Sequence, residues 1–196
     1  FEVIFIIKIL VETSARHIHL SRRDFGFLFG NGAELVVQKE LSQPGEFVST
    51  ARLEVVGPKN KFTKVAVLGP LRAQTQVEVS LTDSINLGLN VPIRDSGDLE
   101  GTPGCVLVGP NGRLEIPHGV IVAKRHIHMD PDSAKAYNLS DGQIVKVAVQ
   151  TAHRSLTFEN VMLRVSENFA PAMHIDTDEA NAAGIVAGPT YGEVLI

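Results

Sequence analysis

Two stretches decide the fold: SARHIHLS, Ser14–Ser21, and AKRHIHMD, Ala123–Asp130. Each writes Arg-His-Ile-His, then an apolar residue, then a residue suited to start a helix. Behind the first, Ser21 is an N-cap with Asp24 three residues on, and an apolar-studded stretch runs to GNG at 30–32. Behind the second, Asp130 caps, Pro131 takes the first helical position and the stretch ends at LSDG, 139–142. A strand follows each, AELVVQKEL or GQIVKVAVQ. The repeated unit is therefore strand, short helix, strand. A third partial copy, MHIDTDEANAAG, puts His174 and Ile175 before a capped helix that begins near Thr177 and ends at Gly184, with Asp176 in place of a second histidine.

Elsewhere the chain reads as short, Val-rich strands of period two between Gly and Pro: EFVSTARLEVVG, FTKVAVLG, TQVEVS, CVLVG and SLTFENVMLRV. The expected class is mainly β with short capping helices. Internal self-similarity implies two related β-barrel domains, residues 1–116 and 117–196, divided in the Gly/Pro-rich stretch GPNGRLEIPHG, with the C-terminal segment packing back on the first. The apolar start FEVIFIIKIL reads as a strand or docking segment. It is broken by Glu2 and Lys8, is far shorter than the roughly 20 residues of a membrane span, and lacks the basic start and cleavage site of a signal peptide.

With 196 residues, 44% hydrophobic and 20% charged, the chain has material for a real core. A net charge of −4 argues against a general nucleic-acid binder, whose footprint is basic. The single cysteine, Cys105, excludes intrachain disulfides, suits a reducing compartment and reads as a buried, inert thiol.

In a strand, residues i and i+2 share a face, so His17 with His19, and His126 with His128, form two-imidazole clamps. Imidazole suits Zn, Co, Ni or Fe, and a zinc site takes three or four ligands. His174 is the available further imidazole and Glu78 a carboxylate in an otherwise apolar strand. One HxH alone is as well read as a solvent-facing or hydrogen-bonded pair; two in matched context favour metal. His118 and His153 lie in polar, turn-like surroundings and read as surface residues. Cupins expect a Glu a few residues past HxH, absent here, and a chain this short falls below the roughly 250 residues of a (β/α)₈ barrel. Arg16 and Arg125 precede the clamps, and Arg72 would share a strand face with Glu78 if the extended chain ran unbroken between them. Arginine beside metal favours an anionic substrate such as phosphate; a surface arginine after the Gly-Pro turn is the plain alternative.

RHIHLS, KRHIHMD, GPLRAQTQVEVS and HIDTDEANAAG together resemble the phosphate acyltransferases of the propanediol-utilisation type, the PduL-like phosphotransacylases, over the chain from residue 11 on. The resemblance implies two β-barrel domains with the active site between them, two zinc ions, and the reaction of acyl-CoA with phosphate to give acyl phosphate and coenzyme A, propanoyl or acetyl. By motif it makes His17, His19 and Glu78 one part of the metal set and His126, His128 and His174 the other. It makes Arg72 the catalytic, phosphate-handling arginine, and it sets Ser14, Lys39 and Asn181 where the family contacts coenzyme A. Small-molecule substrates, no nucleic acid, no membrane and a homodimer follow from it. Microcompartment members carry an amphipathic N-terminal extension. FEVIFIIKIL alternates poorly as such a helix, which favours the cytoplasm over a microcompartment lumen. Two other readings share these residues: a small dinuclear metal hydrolase acting on thioesters or phosphate esters, and a non-catalytic metal-stabilised binding module.

Overall fold

The computed structural model describes residues 7–186 and 188–196. The first six residues of FEVIFIIKIL thus lie outside the described residues, and its end enters the first strand, β1 (Ile7–Ser14). The chain divides into two compact units: Ala15–Ala123, and the chain up to Ser14 together with Lys124–Ile196.

The unit Ala15–Ala123 holds β2 (His17–Ser21), α1 (Arg22–Phe29), β3 (Val37–Glu40), β4 (Phe47–Val56), β5 (Lys61–Arg72), β6 (Gln76–Glu78), α2 (Leu81–Leu87), β7 (Ile93–Arg94), β8 (Cys105–Gly109), β9 (Gly112–Ile116) and β10 (Val120–Ala123). They form a nine-stranded half-barrel sheet in the order β7-β10-β6-β2-β5-β4-β8-β9, with β3 added on β4. Its core is built on Ile18, Leu20, Phe25, Leu28, Val67, Val77 and Leu107, all nearly inaccessible. Ile18 and Leu20 face this core because they alternate with His17 and His19, so the apolar half of HIHL anchors the strand while the imidazoles share the other face.

The second unit contains β1, then β11 (His126–Met129), α3 (Pro131–Ala136), β12 (Ile144–Val149), β13 (Leu156–Val165), β14 (Ala172–Asp176), α4 (Thr177–Ala183) and β15 (Thr190–Leu195). Here the strands close into a barrel, β1-β14-β11-β13-β12-β15, because β15 pairs with both β1 and β12. Closure leaves no free edge. Ile7, Ile9 and Val11 alternate into its core with Ile127, Met129, Val147, Leu163 and Met173.

The helices start as their caps direct. The side chains of Ser21, Asp130 and Asp176 accept from the backbone N–H three residues on, and Asp176 with Glu179 forms a reciprocal capping box. The helix α2 was not expected. Its signal was the same, Ser80 followed by Asp83, and Gly88 closes it in the left-handed region at φ 76°. The strand expected over AELVVQKEL shrinks to the four exposed residues of β3, since their side chains join neither core. Among the described residues no helix is long and apolar enough to cross a membrane.

Candidate active site

The two RHIH copies sit in the same local frame. β2 runs parallel to β5 and antiparallel to β6, with His17 opposite Glu78 and His19 opposite Gln76. β11 runs parallel to β13 and antiparallel to β14, with His126 opposite His174 and His128 opposite Ala172. Glu78 and His174 therefore occupy equivalent registers. The leading strands repeat too: β10 lies parallel to β6 with Ile121 opposite Glu78, and β1 lies parallel to β14 with Glu12 opposite His174. β1 belongs to one unit and runs directly into the RHIH of the other; β10 does the reverse.

In each copy the first histidine is fixed from behind. His17 Nδ1 lies 2.9 Å from the Ala15 carbonyl and His126 Nδ1 2.8 Å from the Lys124 carbonyl. Since a carbonyl only accepts, Nδ1 carries a proton, so in the neutral ring Nε2 is the nitrogen that offers a lone pair. The arginines are fixed as well. Arg16 donates Nε and Nη2 to Asp83, at 2.9 and 2.6 Å, and lies over the Phe62 ring. Arg125 donates to Glu179 at 2.7 Å and to the Glu159 carbonyl, and lies near the Phe158 ring. Asp83 and Glu179 are the third residues of α2 and α4, so each arginine ties its clamp to a capped helix. The expectation that Arg16 and Arg125 serve an anionic substrate is thereby replaced by a structural role.

His17, His19 and Glu78 offer donor atoms that all lie within 4.8 Å of one another. His17 Nε2 is 3.4 Å from Glu78 Oε2, and His19 Nε2 is 3.9 Å from Glu78 Oε1. Burial works against charge on Glu78, but the neighbouring His17, through its charge and hydrogen bond, then His19 and Arg72, hold the carboxyl well below its ordinary range. Burial also works against charge on His17, and Glu78 outweighs it and raises that imidazole. His19 is driven well below its usual value, first by burial and then by His17 and Arg72. It is thus a neutral imidazole near pH 7, and its Nδ1 is buried without a hydrogen-bond partner. Two imidazoles and a carboxylate form a donor set that suits zinc, and a neutral ring is the form a metal requires.

The other three imidazoles also converge. Ring centroids are 4.6 Å apart for His126 and His128, 4.8 Å for His128 and His174, and 5.3 Å for His126 and His174. His174 Nδ1 lies 3.8 Å from Glu12, and Phe169 stacks on His128 at 3.9 Å. Glu12, Gln76, Ser96 and Phe169 were not singled out in the sequence, which offers only the period-two placement of Glu12 and Gln76 as a hint.

The extended chain does not run unbroken from Arg72 to Glu78: β5 ends at Arg72, the chain turns over 73–75, and β6 runs back antiparallel to β2. Arg72 nevertheless reaches the same neighbourhood, donating Nη1 to Ser96 Oγ at 3.0 Å, while Ser96 Oγ lies 3.1 Å from Glu78 Oε1. It is half-buried and not the plain surface residue of the alternative reading. Ser14 lies opposite Asp176, the N-cap of α4, whose exposed Asn181 is thus in the same unit; Lys39 is exposed on β3 of the other. His118 and His153 are exposed. Cys105 is buried and its thiol is pushed up to about 12 by that burial, so it is no nucleophile near neutral pH.

Comparison with known proteins agrees with this frame. The family model for phosphate propanoyltransferase matches residues 10–186. A phosphate propanoyltransferase of Thermotoga maritima is 54% identical over 180 residues, 92% of this chain and 86% of that protein. One of Enterococcus faecalis is 51% identical over 91% of this chain and 84% of its own length, and one of Clostridioides difficile is 50% identical over 91% and 85%. The chain belongs to the phosphate propanoyltransferase family and is an acyltransferase.

Proposed function

We propose that this protein interconverts acyl-CoA plus phosphate and acyl phosphate plus coenzyme A, with propanoyl or acetyl as the acyl group, by direct transfer at a site holding two zinc ions. His17, His19 and Glu78 would hold one ion and His126, His128 and His174 the other. The observation that carries the reading is the group of buried His17 and His19 with half-buried Glu78, and Arg72 tied to Glu78 through a single hydroxyl. When bound, zinc supplies Lewis acidity for the thioester carbonyl and a thiophilic partner for the departing sulfur.

The residues themselves supply orientation. Arg72 presents a guanidinium that can grip phosphate through two parallel hydrogen bonds and offset its charge as an oxygen approaches the acyl carbon. The phosphate oxygen bonds to that carbon, the carbon–sulfur bond breaks, and coenzyme A leaves as the thiolate. The fixed Nδ1 protons of His17 and His126 hold both imidazoles with Nε2 forward, so neither ring must reorganise during the transfer. No side-chain nucleophile takes part. Ser14 and Asn181 would contact coenzyme A by hydrogen bonding and Lys39 would pair with its phosphates. A homodimer in the cytoplasm, with a microcompartment lumen as the alternative, completes the proposal.

The test follows thiol release and acyl phosphate from propanoyl- or acetyl-CoA, with and without phosphate, in zinc-loaded and chelated protein. Transfer predicts phosphate-dependent thiol release with matching acyl phosphate. Release without phosphate would identify a hydrolase, and no release with tightly held zinc a binding module. The two acyl groups differ by one methylene, worth about 1–3 kcal/mol in a fitted pocket, so both should turn over.

A further inference from the structure

Arg72 and Glu78 are joined by a hydrogen-bond network whose every direction is determined. Ser96 Oγ lies 3.0 Å from Arg72 Nη1, 2.9 Å from Gln76 Nε2 and 3.1 Å from Glu78 Oε1. A guanidinium can only donate and an ionised carboxylate can only accept, so the one Ser96 proton goes to Glu78 and both its lone pairs are taken by Arg72 and Gln76. The Gln76 amide then spends its two protons on Ser96 and on Glu78 Oε1, at 2.5 Å for the second, while its oxygen accepts from the Gly97 N–H at 2.8 Å. Gln76 is only 2% exposed, so these partners replace water entirely. No side-chain proton of Ser96 or Gln76 is idle.

The network has a direction in space as well. Glu78 Oε1 receives both Gln76 and Ser96, whereas Oε2 is the atom nearest His17 Nε2. Oε1, which also lies 3.9 Å from His19 Nε2, is thus the oxygen held by Gln76 and Ser96, and Oε2 is the one left facing His17. In the other unit the residue in the Gln76 register is Ala172, which has no polar side chain. A side chain that can act as Gln76 does therefore stands beside His19 and not at the matching register beside His128.

We propose that Gln76 and Ser96 are positioning residues that set two things at once: they keep Glu78 a one-oxygen ligand through Oε2, and they hold the Arg72 guanidinium at a fixed place for the phosphate. This rests on the assignment of His17, His19 and Glu78 to zinc and of Arg72 to phosphate. Loss of one hydroxyl should then disturb metal retention and phosphate use together, through Glu78 and Arg72 respectively.

The experiment uses the full chain with zinc loaded, comparing the unaltered protein with Ser96→Ala, Ser96→Thr and Gln76→Leu. Zinc is titrated against a chromophoric chelator, and KM is measured separately for phosphate and for propanoyl-CoA. In Ser96→Ala one of the two zinc equivalents should pass to the chelator at about a tenfold lower chelator concentration, in line with the 10–100-fold effect typical of residues behind a metal ligand. The KM for phosphate should rise about tenfold or more while that for propanoyl-CoA stays within about twofold. Ser96→Thr, which keeps the hydroxyl, should restore both; Gln76→Leu should reproduce the zinc effect. Unchanged zinc retention and phosphate KM in Ser96→Ala, or equal rises in both KM values without rescue by Thr, would overturn the inference. Failure of the unaltered protein to bind zinc or to use phosphate would instead overturn the site assignment beneath it, and the inference with it.

Discussion

His17 and Glu78 face each other across the antiparallel strands β2 and β6, with Nε2 3.4 Å from Oε2. His126 and His174 hold the same register across β11 and β14. One backbone frame thus carries a carboxylate in one unit and an imidazole in the other. The first group is surrounded by Arg72, Gln76 and Ser96, and the second by Phe169 and Glu12. Equal frames thus carry unequal chemistry: one group lies beside an arginine, the other beside an aromatic ring.

Glu78 gives a pH prediction for the metal-free protein. Its folded value is depressed below the ordinary 4.5, so the stability it contributes is fully present above about pH 4.5 and is lost as pH falls from there toward the folded value. The thermal midpoint of the unaltered protein should fall faster below pH 4.5 than that of Glu78→Gln, measured by circular dichroism with chelator present. Parallel curves would show that Glu78 carries no such linkage.

Arg72→Ala should lower kcat/KM for phosphate by about 10–100-fold, the value of the hydrogen bonds to a charged group that it would lose, about 1.5–3 kcal/mol. Zinc content should remain near two equivalents. Steady-state kinetics with metal analysis decides this, and full activity in the variant would remove Arg72 from the mechanism.

The metal groups can be emptied one at a time. His17→Ala and His126→Ala should each retain about one zinc equivalent and lose nearly all transfer, whereas chelation should remove both and lower the thermal midpoint, since a ligand at about 100 times its Kd stabilises by about 2.7 kcal/mol. Elemental analysis beside calorimetry reads the result. Two retained equivalents in His17→Ala would exclude that residue as a ligand.

The two arginines before the clamps should differ in their structural weight. Asp83 is 3% exposed, so Arg16→Met strands a buried carboxylate and should cost about 2–3 kcal/mol. The Arg125 and Glu179 pair is partly solvated, and its ion pair should be worth about 1 kcal/mol or less. A double-mutant cycle with Asp83→Asn and with Glu179→Gln, read by urea unfolding, should give the larger coupling for the first pair.

Cys105 should resist alkylation in the folded protein near neutral pH, because burial pushes its thiol up to about 12 and keeps it protonated. Mass spectrometry after iodoacetamide treatment checks this. A covalent acyl adduct on any side chain during turnover would contradict direct transfer.

The sequence by itself determined most of the strands, three of the four helices and the paired clamps; it did not single out β7, β10 and β15, and β9 lies in the stretch read as a division between domains. The features it determined are local: period-two alternation puts His17 with His19 and Ile18 with Leu20, and a cap is decided within three residues. The similarity of the two RHIH contexts also told in advance that the frame would be built twice. Only the tertiary structure decided that β1 pairs with β14 and β15 while the RHIH it leads into joins the other unit, and that one sheet closes into a barrel while its relative stays open. Strand pairing of this kind is settled by which distant edges bury the most apolar surface together, and no local pattern carries it. The same holds for the site. Arg72 meets Glu78 not along one strand but across a turn and through Ser96, and Arg16 is spent on Asp83, because a buried carboxylate takes the nearest cation that folding brings to it.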